Sequence, residues 1–155
     1  MAWIKSVGKV IKNIILLNNA DYVCTSNNGG TNYTKIEDTM TYYHNGYATN
    51  YTDTPLIDIT KMNTLKITGN CYEQGGQQPS GGNNSGYIYL LDSNGGLVAT
   101  LFSISCAWNE SSKYGTFNIN YDVSNLTGYY KVRVQGISWY PNYTRYSFTE
   151  FEFDK

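Results

Sequence analysis

The amino-acid sequence predicts a mainly β fold, an antiparallel β-sandwich of jelly-roll type entered through one short amphipathic helix. Three observations carry this. Segments in which apolar and polar residues alternate recur along most of the chain, at spacings of roughly 8–15 residues. Gly, Asn, Asp and Ser cluster between them, as tight turns require. Helical spacing occurs once, before residue 20. A chain of 155 residues suits one core plus an appendage, so residues 1–19 are expected to form the helix and residues 20–155 the sandwich domain.

The helix reading rests on Trp3, Val7, Val10, Ile14 and Leu17, which step by four, three, four and three. On a helix these five share one stripe, the seam of a heptad repeat; Lys5, Lys9 and Lys12 face away, and Ile4 and Ile11 widen it. A wide seam suits more than two helices. Two heptads need support from an attached domain, because isolated helices below about 12–15 residues are marginal in water. The residues leave three readings open: a helix docked on its own domain, a self-associating stem, or a helix lying at a membrane surface. A leader peptide and a membrane span do not fit. Residues 14–17 are a fragment of the apolar run of roughly 7–15 residues that a leader needs, and the lysines interrupt the run of about 20 that a span needs.

From Asp21 onward the period is that of strands. Thr64-Leu65-Lys66-Ile67-Thr68, Phe117-Asn118-Ile119-Asn120-Tyr121 and Tyr130-Lys131-Val132-Arg133-Val134-Gln135 alternate cleanly, so each is expected to bury one face. GYIYLL and LVATLF flank DSNGG, the strongest hairpin signal, because Asn94-Gly95 suits the positive φ of a tight turn. Weaker signals at Asn28-Gly29 and Asn45-Gly46 predict that DYVCTS pairs with TNYTKIE and TMTYYH with YATNY. PLIDI starts after a proline, as an edge or first-residue position allows. In RYSFTEFEF, Phe148 is out of phase with Phe151 and Phe153, which predicts a bulge near Thr149. Residues 73–86, EQGGQQPSGGNNSG, contain no apolar side chain and are expected to form a long loop.

Composition narrows function. Charged residues make up 15% of the chain, aromatics another 15% with 16 Tyr, and the net charge is -1. Such a surface hydrogen-bonds and stacks without steering phosphate, so no nucleic-acid partner is expected. Cys24, Cys71 and Cys106 are widely spaced and form no CxxC pair; they read as buried small residues, as free thiols or with one disulfide between two of them. His44, the one histidine, has no nucleophile motif beside it and reads as a strand residue. Asp92-Ser93-Asn94-Gly95 has the residue types of a calcium loop but lacks the later bidentate acid, so a turn is expected and no metal or cofactor. Glu150 and Glu152 share one strand face with a separation near the roughly 5–9.5 Å of glycosidase carboxylate pairs. Alternating acids on a last strand read more simply as a solvated face, and the chain is expected to be no enzyme.

What remains is a set of aromatic residues where turns belong. Trp139, Tyr140, Asn142 and Tyr143 join the last two strands, and Trp108, Asn109 and Tyr114 lie on another connection. A sugar has flat C–H faces and dense hydroxyls, so its site needs ring platforms beside amide, hydroxyl and carboxylate groups. These seven residues supply that mixture and are the expected saccharide contacts; the alternative is that they cap the core or pack against a second subunit.

A short heptad helix followed by a sandwich rich in Asn, Tyr, Gly and Thr resembles the distal, receptor-binding domains of bacteriophage tail fibres, tail spikes and baseplate proteins. IKSVGKVIKNIILL corresponds to a stem, TPLIDITKMNTLKITGN to a sandwich opening, GYIYLLDSNGGLVATL to a central hairpin, and NLTGYYKVRVQG to a strand near the end. The last three also resemble carbohydrate-binding modules. The resemblance implies a homotrimer guided by Trp3, Val7, Val10, Ile14 and Leu17, a host-surface glycan as ligand, assembly in the bacterial cytoplasm without membrane insertion, and a place in the virion. The competing expectations are a fibre or baseplate assembly module without a ligand, and a glycoside-cleaving domain.

Overall fold

A computed structural model describes residues 5–6, 9–10, 23–26, 33–36, 39–43, 47–75, 82–139 and 142–155. Thirteen strands follow in chain order: β1 (Lys5–Ser6), β2 (Lys9–Val10), β3 (Val23–Ser26), β4 (Tyr33–Ile36), β5 (Thr39–Tyr43), β6 (Tyr47–Asp53) and β7 (Ile57–Asp58). They continue with β8 (Thr64–Gln74), β9 (Asn84–Asp92), β10 (Leu97–Cys106), β11 (Ser112–Asp122), β12 (Tyr129–Trp139) and β13 (Tyr143–Asp154). Sheet 1 has the order β10-β9-β12-β6-β3, with β7 also on β12, and sheet 2 the order β11-β8-β13-β5-β4. Every pairing is antiparallel. The eight strands β5-β13-β8-β11 and β6-β12-β9-β10 have the connectivity of a jelly roll, with β4 and β3 added at one edge. The expected fold class is therefore observed.

Alternation places the core between the sheets. Leu65, Ile67 and Cys71 of β8, Ile88 and Leu90 of β9, Val132 and Val134 of β12, and Tyr146, Phe148, Phe151 and Phe153 of β13 are buried. The change of phase within β13 is a bulge between Phe148 and Glu150, as the sequence predicts, and it keeps both aromatic sets inward. The β9–β10 hairpin also forms as expected. Gly95 has φ 87°, and Asp92 Oδ1 accepts the Asn94 and Gly96 amides, which holds the turn closed.

Three expectations need correction. The Asn28-Gly29 and Asn45-Gly46 segments do not close hairpins: β3 and β6 lie in sheet 1, while β4 and β5 lie in sheet 2. A turn signal marks a reversal, but long-range pairing decides which sheet each arm joins; β5 pairs with β13, and β6 with β12. The two ends of the expected 73–86 loop are strand: β8 continues through Glu73 and Gln74, and β9 starts at Asn84. Lys5–Ser6 and Lys9–Val10, inside the expected helix, pair as a short antiparallel ladder, so Val10 is in a strand. A helix this short has little intrinsic stability to hold against such pairing. Trp3, Val7, Ile14 and Leu17 lie outside the described residues, as do His44 and Tyr140.

Toward one end the interior becomes polar. Glu73, Thr144, Thr52, Asn84 and Ser138 are fully buried. Thr144 Oγ1 donates to Glu73 Oε2 at 2.9 Å, and the Tyr42 and Thr52 hydroxyls are hydrogen-bonded to each other at 3.0 Å. Two glycines facing each other on β9 and β12, Gly86 and Gly136, make room for this cluster. A Cβ on Gly86 would lie 2.5 Å from the Tyr146 hydroxyl and 2.7 Å from Glu73 Oε1. Gly86→Ala is therefore expected to lower stability by about 1–2 kcal/mol, as overpacked core sites do, measurable as a lower midpoint in urea. Cys71 and Cys106 are buried free thiols, while the Cys24 side chain is not described.

Candidate functional site

On β12 the buried set is Val132, Val134, Gly136 and Ser138, so Lys131, Arg133, Gln135, Ile137 and Trp139 face outward. The same parity turns Tyr87 and Tyr89 of β9 and Tyr51 of β6 to this outer face of sheet 1. Register then aligns residues remote in sequence. Tyr87, Gln135 and Tyr51 form one row across three strands, and Tyr89, Arg133 and Asp53 form the next.

The side chains are arranged as two aromatic flanks with polar groups between them. Tyr87 and Tyr89 stack with ring centroids 5.3 Å apart and planes 11° from parallel. On the other flank the Arg133 guanidinium lies over the Tyr51 ring, 3.6 Å from its centroid. Arg133 is locked there by a forked ion pair, Nε to Asp53 Oδ1 at 2.6 Å and a terminal nitrogen to Oδ2 at 2.8 Å, and Lys131 Nζ adds a contact of 2.8 Å. Burial pushes the Asp53 carboxyl up, but hydrogen bonds and charge from Arg133 and Lys131 outweigh it and hold it below the ordinary value. The same bond raises Arg133 further. Burial also raises the Tyr89 hydroxyl, which stays a donor. The flanking strands stand about 9–10 Å apart, two strand spacings, a width suited to one pyranose ring.

Sheet 2 holds this face in place from behind. The Tyr146 hydroxyl reaches the carbonyls of Gln135 at 2.6 Å and Tyr87 at 3.2 Å, and the Tyr42 hydroxyl reaches that of Val134 at 3.0 Å. The backbone under the aromatic row is thus tied across the sandwich.

The residues expected from sequence go to four places. Trp139 ends β12 on the outer face of sheet 1, half-buried, with its amide donating to Asn84 Oδ1 at 3.1 Å. Asn142 is 2% exposed, so its side chain points inward. Trp108 is 45% exposed on the β10–β11 connection beside exposed Asn109. Tyr114 and Tyr143 lie on strands of sheet 2. Sequence reasoning missed Tyr51, Tyr87, Tyr89, Arg133, Asp53 and Gln135; the signal was present in GYIYLL and YYKVRVQ, where the polar-side positions are filled by Tyr, Arg and Gln.

Glu150 and Glu152 occupy outward positions on β13. Glu150 accepts from Thr68 Oγ1 at 3.3 Å, and Glu152 stands opposite Lys66, whose ammonium pairs with Asp154 at 2.6 Å. Among the described residues no group of three or more His, Cys, Asp or Glu side chains is placed to hold a metal, and no helix is long and apolar enough to cross a membrane.

The two-sheet fold is shared with solved β-sandwich structures. A family 61 module solved with β-1,4-galactotriose superposes with a TM-score of 0.53 at 6% identity, over 83% of this chain and 85% of that one. The family 11 module from Clostridium thermocellum, solved with a β-1,3-1,4-mixed-linked tetrasaccharide, gives 0.42 at 14% identity, over 87% of this chain and 89% of that one. The enzymatically active domain of bacteriophage CBA120 tailspike protein 4 gives 0.47 at 13% identity, over 93% of this chain and 21% of that one. At 6% identity the likeness to the family 61 module is one of fold. No protein-family model matches the chain, and no curated protein matches it in sequence.

Proposed function

We propose that this chain is a non-enzymatic saccharide-binding module whose ligand lies along β12 on the outer face of sheet 1. The observation that carries this reading is the pair of aromatic flanks, Tyr87 with Tyr89 and Tyr51 with Arg133, on either side of Gln135. Rings match the C–H faces of a sugar, while Gln135, the tyrosine hydroxyls and the remaining guanidinium N–H groups match its hydroxyls. Arg133 is already paired with Asp53, so the face offers directional hydrogen bonds in place of strong attraction for an anion, and a neutral saccharide suits it best. Trp139, on the same face, is the terminal contact. Trp108 and Asn109 favour a second reading, in which an exposed tip adds a sugar or subunit contact.

The setting we propose is host-surface recognition in the distal part of a phage tail fibre, as a homotrimer. The resemblance of the sequence to such domains supports it. Light scattering on the intact protein is then expected to give three times the 17.5 kDa chain mass, and pull-down on purified bacterial cell-wall polysaccharide to retain it. A monomer that fails to bind any host polysaccharide would remove this setting.

A further inference from the structure

The opposite face of the sandwich carries a second arrangement of the same chemistry. Across sheet 2 the register aligns Tyr114, Tyr72, Arg145 and Thr41 in one outward row. Tyr114, on the outer side of the edge strand β11, is 62% exposed. Tyr72 meets Tyr143 with centroids 5.8 Å apart and planes at 43°. Arg145 lies over the Tyr143 ring at 4.8 Å, and its Nε donates to Thr41 Oγ1 at 3.2 Å, which fixes an otherwise exposed guanidinium. The neighbouring row is Thr116, Asn70, Ser147 and Thr39, neutral throughout and rich in amide and hydroxyl groups. Among the described strand residues the first carboxylate on this side, Glu150, is one row further along.

We infer that the outer face of sheet 2 is a second saccharide site, built on Tyr114, Tyr72 and Arg145 and suited to a neutral chain. The inference rests on the proposed function and extends it. Rings beside an anchored guanidinium and neutral donors repeat the composition of the sheet-1 face, and the absence of acids from both rows disfavours a cationic partner. Because the two sheets stand back to back, one molecule carries its sites on opposite sides and bridges two glycan chains. Bridging raises avidity on a glycan-dense surface without any new contact.

Isothermal titration with β-1,4-linked gluco-, galacto- and manno-hexasaccharides tests this, with light scattering alongside. The expected result is about two ligands per chain for the intact protein, as for independent sites. Tyr72→Ala with Tyr114→Ala is expected to leave one, and so is Tyr51→Ala with Tyr87→Ala. One ligand per chain, unchanged by the Tyr72 and Tyr114 substitutions, would overturn the second site while leaving the first. A fall in oligomer size caused by those substitutions would assign the face to contact with a second copy and also overturn it. Failure of every hexasaccharide to bind the intact protein would overturn the underlying reading as well.

Discussion

Tyr51→Ala combined with Tyr87→Ala is expected to lower saccharide affinity at the sheet-1 face by about 10³-fold, with little change in thermal stability. Each ring is a central aromatic of the kind that typically costs about 2 kcal/mol or more when truncated, and about 4 kcal/mol together corresponds to that factor. Tyr51 has a further role: its ring supports the Arg133 guanidinium at 3.6 Å, so losing it leaves Arg133 held by the carboxylate alone. Both rings are half-buried and outward, away from the Phe148 cluster, so the fold does not depend on them. Affinity electrophoresis in gels containing neutral polysaccharide gives the comparison directly. Equal retardation of the double variant and the parent would show that the rings are not the platform.

Glu73→Gln is expected to stabilise the protein at neutral and alkaline pH and to make little difference in acid. Burial pushes the Glu73 carboxyl well above its ordinary value of 4.5, against the smaller opposing effect of the Thr144 and Cys71 hydrogen bonds. The fold therefore holds this group protonated at a pH where the unfolded chain has released the proton. Its contribution is fully present below the ordinary value and is lost as pH rises toward the folded value. The slope is up to about 1.4 kcal/mol per pH unit. An amide has the shape of the protonated acid and no proton to lose. Urea denaturation from pH 4 to pH 8 should show the parent losing stability through this window relative to the variant. Parallel curves would contradict a buried, neutral Glu73. The neutral group matters to the site because the same cluster surrounds Tyr146, whose hydroxyl ties down Gln135 and Tyr87.

Much of the architecture could be read from alternation and turn chemistry. The DSNGG hairpin, the long strands and the bulge after Phe148 follow from local pattern, because each depends on neighbours in sequence or on the parity of one strand. The partners of β5 and β6 were not legible: their turn residues specify a reversal, while the choice of sheet is made by β12 and β13, whose paired residues lie 80 to 108 positions later. Glu73 misled for a similar reason. A carboxylate beside a glycine-rich run reads as loop until Gly86 and Thr144 supply the space and the hydrogen bond that let it enter the core. The site was the least legible part. Tyr51, Tyr87 and Arg133 come from three strands and become neighbours only when the sheet assembles, whereas Trp139 and Tyr143, close in sequence, lie in different sheets.

The most direct measurement is residue-resolved NMR of the ¹⁵N-labelled protein titrated with soluble β-1,4-linked hexasaccharides. Recognition on the outer face of sheet 1 predicts saturable shifts at the amides of Tyr51, Tyr87, Tyr89, Arg133, Gln135 and Trp139. Shifts that avoid these strands, or none with any of the sugars, would contradict it.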